Sequence, residues 1–395
     1  MKEKFLRELA DIQTGPFGSQ LHKEDYVADG TPIVTVEHLG NKMFSEQNLP
    51  RVSNTDKNRL KKYVLKQGDI VFSRVGSVDR CSYVDQKHDG WMFSGRCLRV
   101  RPTSEIDSEY LYYYFCLEET KQFVRNIAVG ATMPSINTKL LGEVVVTFPE
   151  LEQQKRISGI LSAIDSKIEV NQKINDNLEQ QAATYFQELF INNANPMWQF
   201  STISDLGTVV GGSTPSKTKP EYYTNNGIAW ITPKDLSINK SKFISHGEND
   251  ITELGLKNSS ATVMPKGTVL FSSRAPIGYI AIASNEVTTN QGFKSVIPYS
   301  EIGTAFVYFF LKHSLPVIES AASGSTFKEI SGSAMKNIPA IIPDRNTLDQ
   351  FNSFCAPIFA QQKILEEQNH SLAMLRDSLL PKLMSGAIDI ASIQL

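Results

Sequence analysis

No stretch of this chain approaches the roughly 18 consecutive uncharged apolar residues that cross a bilayer, so a membrane-spanning helix is excluded. The N-terminus, Met1-Lys2-Glu3-Lys4-Phe5, lacks the apolar segment of a secretory signal, and a cytoplasmic protein is expected. Cysteine is scarce: Cys81, Cys97, Cys116 and Cys355 form no CxxC pair and have no His cluster nearby. They read as reduced core thiols, which excludes a disulfide framework and a zinc site. The histidines show no i, i+4 pairing either. An ATP-cradling Gly-x-x-x-x-Gly-Lys-Ser/Thr loop is absent. Gly211-Gly212-Ser213-Thr214-Pro215-Ser216-Lys217 resembles it only superficially, because its Pro and its spacing do not suit a phosphate cradle. Nowhere does Asn or Asp precede Pro-Pro-aromatic, the arrangement with which adenine methyltransferases hold a flipped base. No metal, nucleotide or other cofactor is therefore expected on this chain.

A charge excess of one sign is missing as well: 40 Lys and Arg face 42 Asp and Glu, a net charge of −2. Local patches remain. Between Arg51 and Arg101, twelve Lys or Arg stand against five Asp, which gives an electrostatic footprint for phosphate. A solvated loop surface explains the same charges equally well, with Asn58-Arg59-Leu60-Lys61-Lys62 as an exposed helical turn.

What the chain does have is a repeat. Gly68-Asp69-Ile70-Val71-Phe72-Ser73-Arg74-Val75-Gly76 returns as Gly267-Thr268-Val269-Leu270-Phe271-Ser272-Ser273-Arg274-Ala275-Pro276-Ile277-Gly278. Gly130-Ala131-Thr132 returns as Gly324-Ser325-Thr326, and Pro149 returns as Pro343. The spacing, roughly 194 to 199 residues, is far longer than any solenoid period.

Four segments follow. Residues 1–148 form a strand-rich α+β domain: Thr31-Pro32-Ile33-Val34-Thr35-Val36, Asp69 to Ser73 and Leu141 to Phe148 read as strands, and Glu109 to Phe123 as a helix. Residues 149–192 lack internal Pro and read as one long helix opened by Pro149-Glu150. Its apolar stripe is Ile157, Leu161, Ile164, Ile168, Ile174, Leu178, Ala182, Tyr185 and Leu189. Forty helical residues span about 60 Å, too long for an ordinary globular helix. Residues 193–342 repeat the domain, and residues 343–395 hold a second long helix and a C-terminal tail. The second stripe runs Leu348, Phe351, Phe354, Ile358, Ile364, Leu365, Leu372, Leu375 and Leu379, with Pro357 expected to interrupt or kink it. Two long stripes joined through a compact domain most simply bury each other as an antiparallel coiled coil. The whole is then pseudo-twofold, suited to a target with two halves.

The second half carries a family resemblance. Gly211 to Ser216, Pro220-Glu221-Tyr222-Tyr223, Ile228-Ala229-Trp230-Ile231-Thr232-Pro233-Lys234-Asp235-Leu236, Gly267 to Gly278, Thr289-Asn290-Gln291-Gly292-Phe293-Lys294 and the Gly324 turn occur in that order before the long helix. This set, met twice, resembles the DNA-specificity (S) subunit of type I restriction-modification systems. In the first half Thr14-Gly15-Pro16-Phe17-Gly18-Ser19 replaces the Gly-Gly-Ser-Thr-Pro-Ser stretch, a divergence that different half-site preferences require. The resemblance implies two target-recognition domains, each reading one half of a split double-stranded DNA site. It further implies two long helices that act as a ruler for the unread spacer. Two methyltransferase (M) subunits and restriction (R) subunits would be the protein partners. S-adenosylmethionine, ATP and magnesium would be bound by those partners.

Base readers are expected to be long polar side chains on loops. The candidates are Gln20, His22, Lys23, Arg74 and Arg96 in the first domain and Lys217, Lys219, Tyr222, Lys234, Arg274 and Gln291 in the second. Arg forks to guanine and Gln to adenine, whereas Lys more often meets phosphate. Against this, Arg74 and Arg274 follow buried-looking strands and suit turn-locking hydrogen bonds, and Lys217 and Lys219 suit plain loop charges.

Two other readings stand beside this one. A coiled-coil adaptor whose domains bind protein explains the helices but not two loop-rich domains of one plan. A free-standing nuclease would use Asp69 with Asp85 and Lys87, yet Thr268 occupies the matching place in the second half. Leu178→Glu is expected to disrupt helix pairing or partner docking by several kcal/mol; intact complex assembly and DNA protection in that variant would contradict the ruler.

Overall fold

The computed structural model describes residues 1–324 and 328–388, apart from the side chain of Lys23. Ser325 and Thr326 of the repeated turn lie outside the described residues. Contacts divide the chain into two units, Met1–Glu169 with Ser371–Leu395, and Val170–His370.

In the first unit a four-stranded antiparallel sheet is built from β1 (Ala10–Thr14), β2 (Ile70–Ser73), β3 (Cys81–Tyr83) and β4 (Cys97–Pro102), in the order β1-β4-β2-β3. A second small sheet joins Tyr26–Val27, Arg51–Val52, Thr31–Val34 and Met92–Phe93, the last pair parallel. A ribbon of Lys2–Phe5 against Val145–Phe148 closes the domain. The second unit repeats this plan. Its main sheet contains β5 (Gly207–Gly211), β6 (Phe243–Ile244), β7 (Val269–Ser273), β8 (Ile277–Ala283) and β9 (Lys294–Pro298), in the order β5-β9-β7-β8-β6. The small sheet is Tyr223–Thr224, Asn249–Ile251, Ile228–Ile231 and Thr288–Thr289, and the ribbon is Gln199–Thr202 with Pro339–Ile342.

The continuous apolar run in each central strand has a simple cause. Side chains alternate between faces along a strand, and here both faces are covered. Ile70 and Phe72 enter the core beneath the helices, whereas Val71 enters the core of the small sheet. Val269 and Phe271 divide from Leu270 in the same way.

Three local readings need correction. Leu141 and Gly142 belong to a short helix, Thr138–Gly142, because Asn137 caps it by accepting from the Leu140 N–H at 2.9 Å; the strand is only Val145–Phe148. The Glu109–Phe123 helix is two, Ser108–Cys116 and Glu118–Ile127, broken where Leu117 turns extended (ψ 134°). Pro357 does not interrupt its helix, which runs from Arg345 to Met384. Among the described residues, no helix is long and apolar enough to cross a membrane.

The long helices are α1 (Leu151–Gln187) and α2 (Arg345–Met384). They pair antiparallel within each unit. In the first, Arg376 donates to Asp165 at 2.8 Å; in the second, Asn171 donates to Asn369 at 2.9 Å, Gln362 to the Asn175 carbonyl at 3.1 Å, and Gln350 to Tyr185 at 2.7 Å. The apolar stripes read from sequence are only partly the seam. Ile174, Phe354, Ile364 and Leu375 are exposed. Alternating steps of 3 and 4 trace buried and half-buried positions: Leu161, Ile164, Ile168, Asn171, Asn175, Leu178 and Ala182 on α1, and Leu348, Phe351, Cys355, Ile358, Gln362, Leu365, Asn369, Leu372, Arg376, Leu379 and Leu383 on α2. This is a coiled-coil repeat whose middle is polar. Asn171, Asn175 and Gln362 are buried.

Each domain is fastened to the helix pair by a lysine. Lys42 and Lys242 hold equivalent places, their carbonyls accepting from Tyr83 and Ile282 at 2.8 and 2.7 Å. Lys42 donates to Glu109, Tyr113 and Ser162 at 2.9, 3.2 and 2.8 Å, and Tyr113 donates to Asp165 at 2.6 Å. Lys242 is buried, donates to Gln362 at 2.6 Å and pairs with Glu179, which also pairs with Lys312 at 2.6 Å. Burial pushes the Glu179 carboxyl up, but the two ammonium groups outweigh it and hold the group below its usual range.

Glu179→Gln leaves Lys242 without its counter-charge and is expected to cost about 3–5 kcal/mol. A carboxyl held low contributes stability above its unfolded pKa and loses it as pH falls through the folded value. The variant's stability is therefore expected to fall less steeply on acidification, as melting curves between about pH 3 and 7 would record. Asn171→Leu removes a buried amide oxygen that has no hydrogen-bond partner among the described residues, together with the donor to Asn369. It is expected to stabilise the pair by roughly 1–2 kcal/mol in denaturant titration, while weakening the specification of helix register.

Candidate nucleic-acid interface

The loops that carry the candidates leave the same strand ends in both domains. Arg74 N–H donates to the Arg96 carbonyl at 2.8 Å and its carbonyl accepts from Ile136 at 2.9 Å; Ser273 makes the matching bonds to Gly292 and Ile330, at 2.7 and 3.1 Å. Arg74 therefore corresponds to Ser273. Arg274 corresponds to Val75, since Val75 bridges Ser135 as Arg274 bridges Glu329. Through the paired strands Ile33–Met92 and Trp230–Thr288, Glu37 falls opposite Lys234 and Gly95 opposite Gln291. Thr35 and Thr232 confirm that register: each backbone N–H donates to the side chain three residues on, His38 or Asp235.

In the first domain the candidates separate into fastened and free. Gln20 accepts from the Tyr63 hydroxyl at 2.6 Å, and its carbonyl accepts from Arg59 at 2.9 Å. Arg74 donates to the Gly95 carbonyl at 3.0 Å and lies 5.4 Å from the Phe17 ring, so it braces the 16–18 loop against the 94–96 loop. His22 is exposed, with its backbone N–H donating to Asp25 at 2.7 Å. The side chain of Lys23 lies outside the described residues. Arg96 is exposed on a cleft that also involves Phe17, Tyr26, Thr35 and Glu37.

In the second domain Tyr222 is only 4% exposed, and Lys219 donates to its hydroxyl at 3.0 Å. That ring is a support for the loop, with the Lys219 ammonium 5.1 Å from its centroid as well as bonded to its hydroxyl. The hydroxyl bond raises the pKa of Lys219. Lys234 pairs with Glu248 at 2.6 Å, and Arg274 donates to Glu329 at 3.2 Å. Gln291 is exposed and accepts from Thr214. Lys217 is exposed; among the described residues, the side chains of His22, Arg96 and Lys217 have no hydrogen-bond or ion-pair partner. Those three present unspent polar groups to an incoming surface.

The basic stretch from Arg51 to Arg101 is partly spent internally. Arg101 pairs with buried Asp69 at 2.6 Å, Arg99 with Asp11, Arg59 with Asp56 at 2.7 Å and Lys87 with Glu46 at 2.5 Å. Lys61, Lys62, Lys66, Arg80 and Arg96 remain exposed. The Asp69, Asp85 and Lys87 spacing does not assemble a nuclease site: Asp69 goes to Arg101, Asp85 to His88 and Lys87 to Glu46. Among the described residues, no three His, Cys, Asp or Glu gather where a metal would be held.

Sequence reasoning passed over Phe17, Tyr26 and Glu37. Phe17 stood inside a quoted motif, but only polar readers were sought. A carboxylate such as Glu37 is disfavoured beside phosphate, so only its position on the cleft reveals it.

Comparison with known proteins matches both halves of the chain. The type I restriction modification DNA specificity domain covers residues 1–180 and again 195–369. The MjaIX type I restriction enzyme specificity subunit of Methanocaldococcus jannaschii is 43% identical over 162 residues, which is 40% of this chain and only 37% of that protein. The HindI specificity subunit of Haemophilus influenzae is 24% identical over 83% of this chain and 88% of its own length. Among solved structures, a type I restriction-modification S subunit from M. genitalium shares the fold with a TM-score of 0.59 at 17% identity, covering 97% of this chain and 95% of that one. Matched twice by the specificity domain, the chain belongs to the family of type I restriction-modification DNA-specificity subunits, whose part is DNA target recognition.

Proposed function

We propose that this chain reads a bipartite duplex target, one half-site per domain, and directs methyltransferase and restriction subunits to it. Residues 1–148 and 193–342 are the two readers, and residues 149–192 and 343–395 form the ruler between half-sites. The observation that carries this reading is the conserved frame with changed loop chemistry. The two domains share the order of four main-sheet strands and the hydrogen-bond register, yet place Glu37 against Lys234 and Gly95 against Gln291 at equivalent positions. Equal frames with unequal side chains suit two different half-sites. The chain itself is non-catalytic in this reading and acts in the cytoplasm. S-adenosylmethionine, ATP and magnesium are bound by the partners.

His22, Arg96, Lys217 and Gln291 are the contacts nearest to bases, since their polar ends are exposed. Lys23, Lys219 and Lys234 serve the phosphates. Arg74, Arg274, Gln20 and Tyr222 hold the reading loops in shape, and loss of any of them weakens a whole half-site.

Genome-wide adenine-methylation mapping, in cells expressing the chain with its methyltransferase partner, tests the role directly. A split motif that depends on this chain is expected; an unchanged pattern with an active partner would contradict it. Adding one heptad to both α1 and α2 preserves the seam and lengthens the pair by about 10 Å. At about 34 Å per ten base pairs, the mapped spacer is expected to grow by roughly three.

A further inference from the structure

The first domain contains a cleft of about 520 Å³ between the 16–18 loop, Tyr26, the 35–37 turn and the 94–96 loop. Its shape is set by two close backbone crossings. A Cβ on Gly15 would stand 2.1 Å from the Ser94 carbonyl oxygen, and one on Gly95 would stand 2.3 Å from that of Pro16. Neither contact is tolerable, so both positions require glycine. Arg74 closes the same junction by its bond to the Gly95 carbonyl, with the Phe17 ring beneath its guanidinium. The walls are therefore preformed.

The contents are a matched set. Phe17 is 53% exposed and Tyr26 stands at the wall. Glu37 is exposed; one carboxylate oxygen accepts from Thr35 at 2.9 Å, and no cation among the described residues pairs with it. Arg96 carries a guanidinium equally without a partner. Two opposite charges in one cleft remain unspent on each other. A phosphate in this cleft would be repelled by Glu37. A base edge that offers both an amine donor and a pair of acceptors would satisfy both groups, and the major-groove edge of a cytosine–guanine pair does so.

Resting on the DNA-reading role, we propose that this cleft reads one C·G pair of the first half-site. Glu37 accepts from the exocyclic amine of cytosine, Arg96 forks onto guanine, and the Phe17 ring packs on the neighbouring base. Thymine in place of cytosine would set a carbonyl oxygen against the carboxylate, so the site excludes as well as attracts. The second domain supports the assignment by contrast. Lys234 takes the place of Glu37 and Gln291 that of Gly95, and Lys234, a cation, pairs with Glu248. The same pair is not expected at that place in the second half-site.

The test is methylome mapping of the full chain with its methyltransferase partner, wild type against Glu37→Gln and Arg96→Ala. Glu37→Gln keeps the size of a surface side chain and is expected to fold normally, which a melting curve checks. Both variants are expected to relax the same C·G position in one half-site by roughly tenfold or more, leaving the spacer and the other half-site unchanged. An unaltered motif in both variants, or a uniform loss of methylation at all positions, would overturn the assignment while leaving the DNA-reading role standing. A wild-type chain that directs no motif at all would overturn that role, and this inference with it.

Discussion

Two helices of 37 and 40 residues cannot stand alone in water with an apolar stripe exposed, and their antiparallel seam is the constraint on which everything else hangs. Its repeat of alternating 3 and 4 steps fixes which residues face inward. Its ends are apolar and enter the domain cores: Ile157 and Leu161 with Leu380 and Leu383 in one unit, Ala182 and Phe186 with Leu348 and Phe351 in the other. Its centre is amide and charge. Polar groups at such positions lower stability relative to leucine but permit fewer registers. A device that depends on length gains from that exchange, because a slipped seam would also have a wrong length.

The domains hang from the pair by buried polar contacts. Lys42 and Lys242 reach the helices from equivalent points, but their counter-charges differ: Glu109 belongs to the first domain itself, whereas Glu179 belongs to α1. The two attachments share geometry without sharing chemistry. The same holds at the reading end, where a constant hydrogen-bond frame carries Glu37 or Lys234, Gly95 or Gln291. Backbone bonds are indifferent to side-chain identity, so a frame held by them tolerates substitution at its tips except where a second backbone crosses close, as at Gly95.

Much of this was legible in the sequence, for identifiable reasons. Central strands buried on both faces leave unbroken apolar runs, and these made the duplication visible at Ile70–Ser73 and Val269–Ser273. The long helices were legible from length and the absence of proline in the first. The seam was misread where Asn171 and Asn175 occupy it, since a hydrophobic pattern skips polar residues and settles on Ile174. Short elements failed where capping decided the outcome, as at Asn137. At the candidate interface, braces and free groups share the same residue types. Arg74 and Arg96 look alike in sequence, and only the Gly95 carbonyl distinguishes them. Matching Arg74 with Arg274 by residue type would also have been a false equivalence, because the hydrogen-bond register pairs Arg74 with Ser273.

One consequence concerns truncation of the chain. The first unit draws Leu380, Leu383 and Met384 from the far end of the polypeptide into a core that otherwise consists of residues up to Leu161. Those residues follow the whole of the second unit in the chain. A truncation before Leu380 would therefore remove apolar residues from a core far upstream of the break, and not only from the helix it shortens.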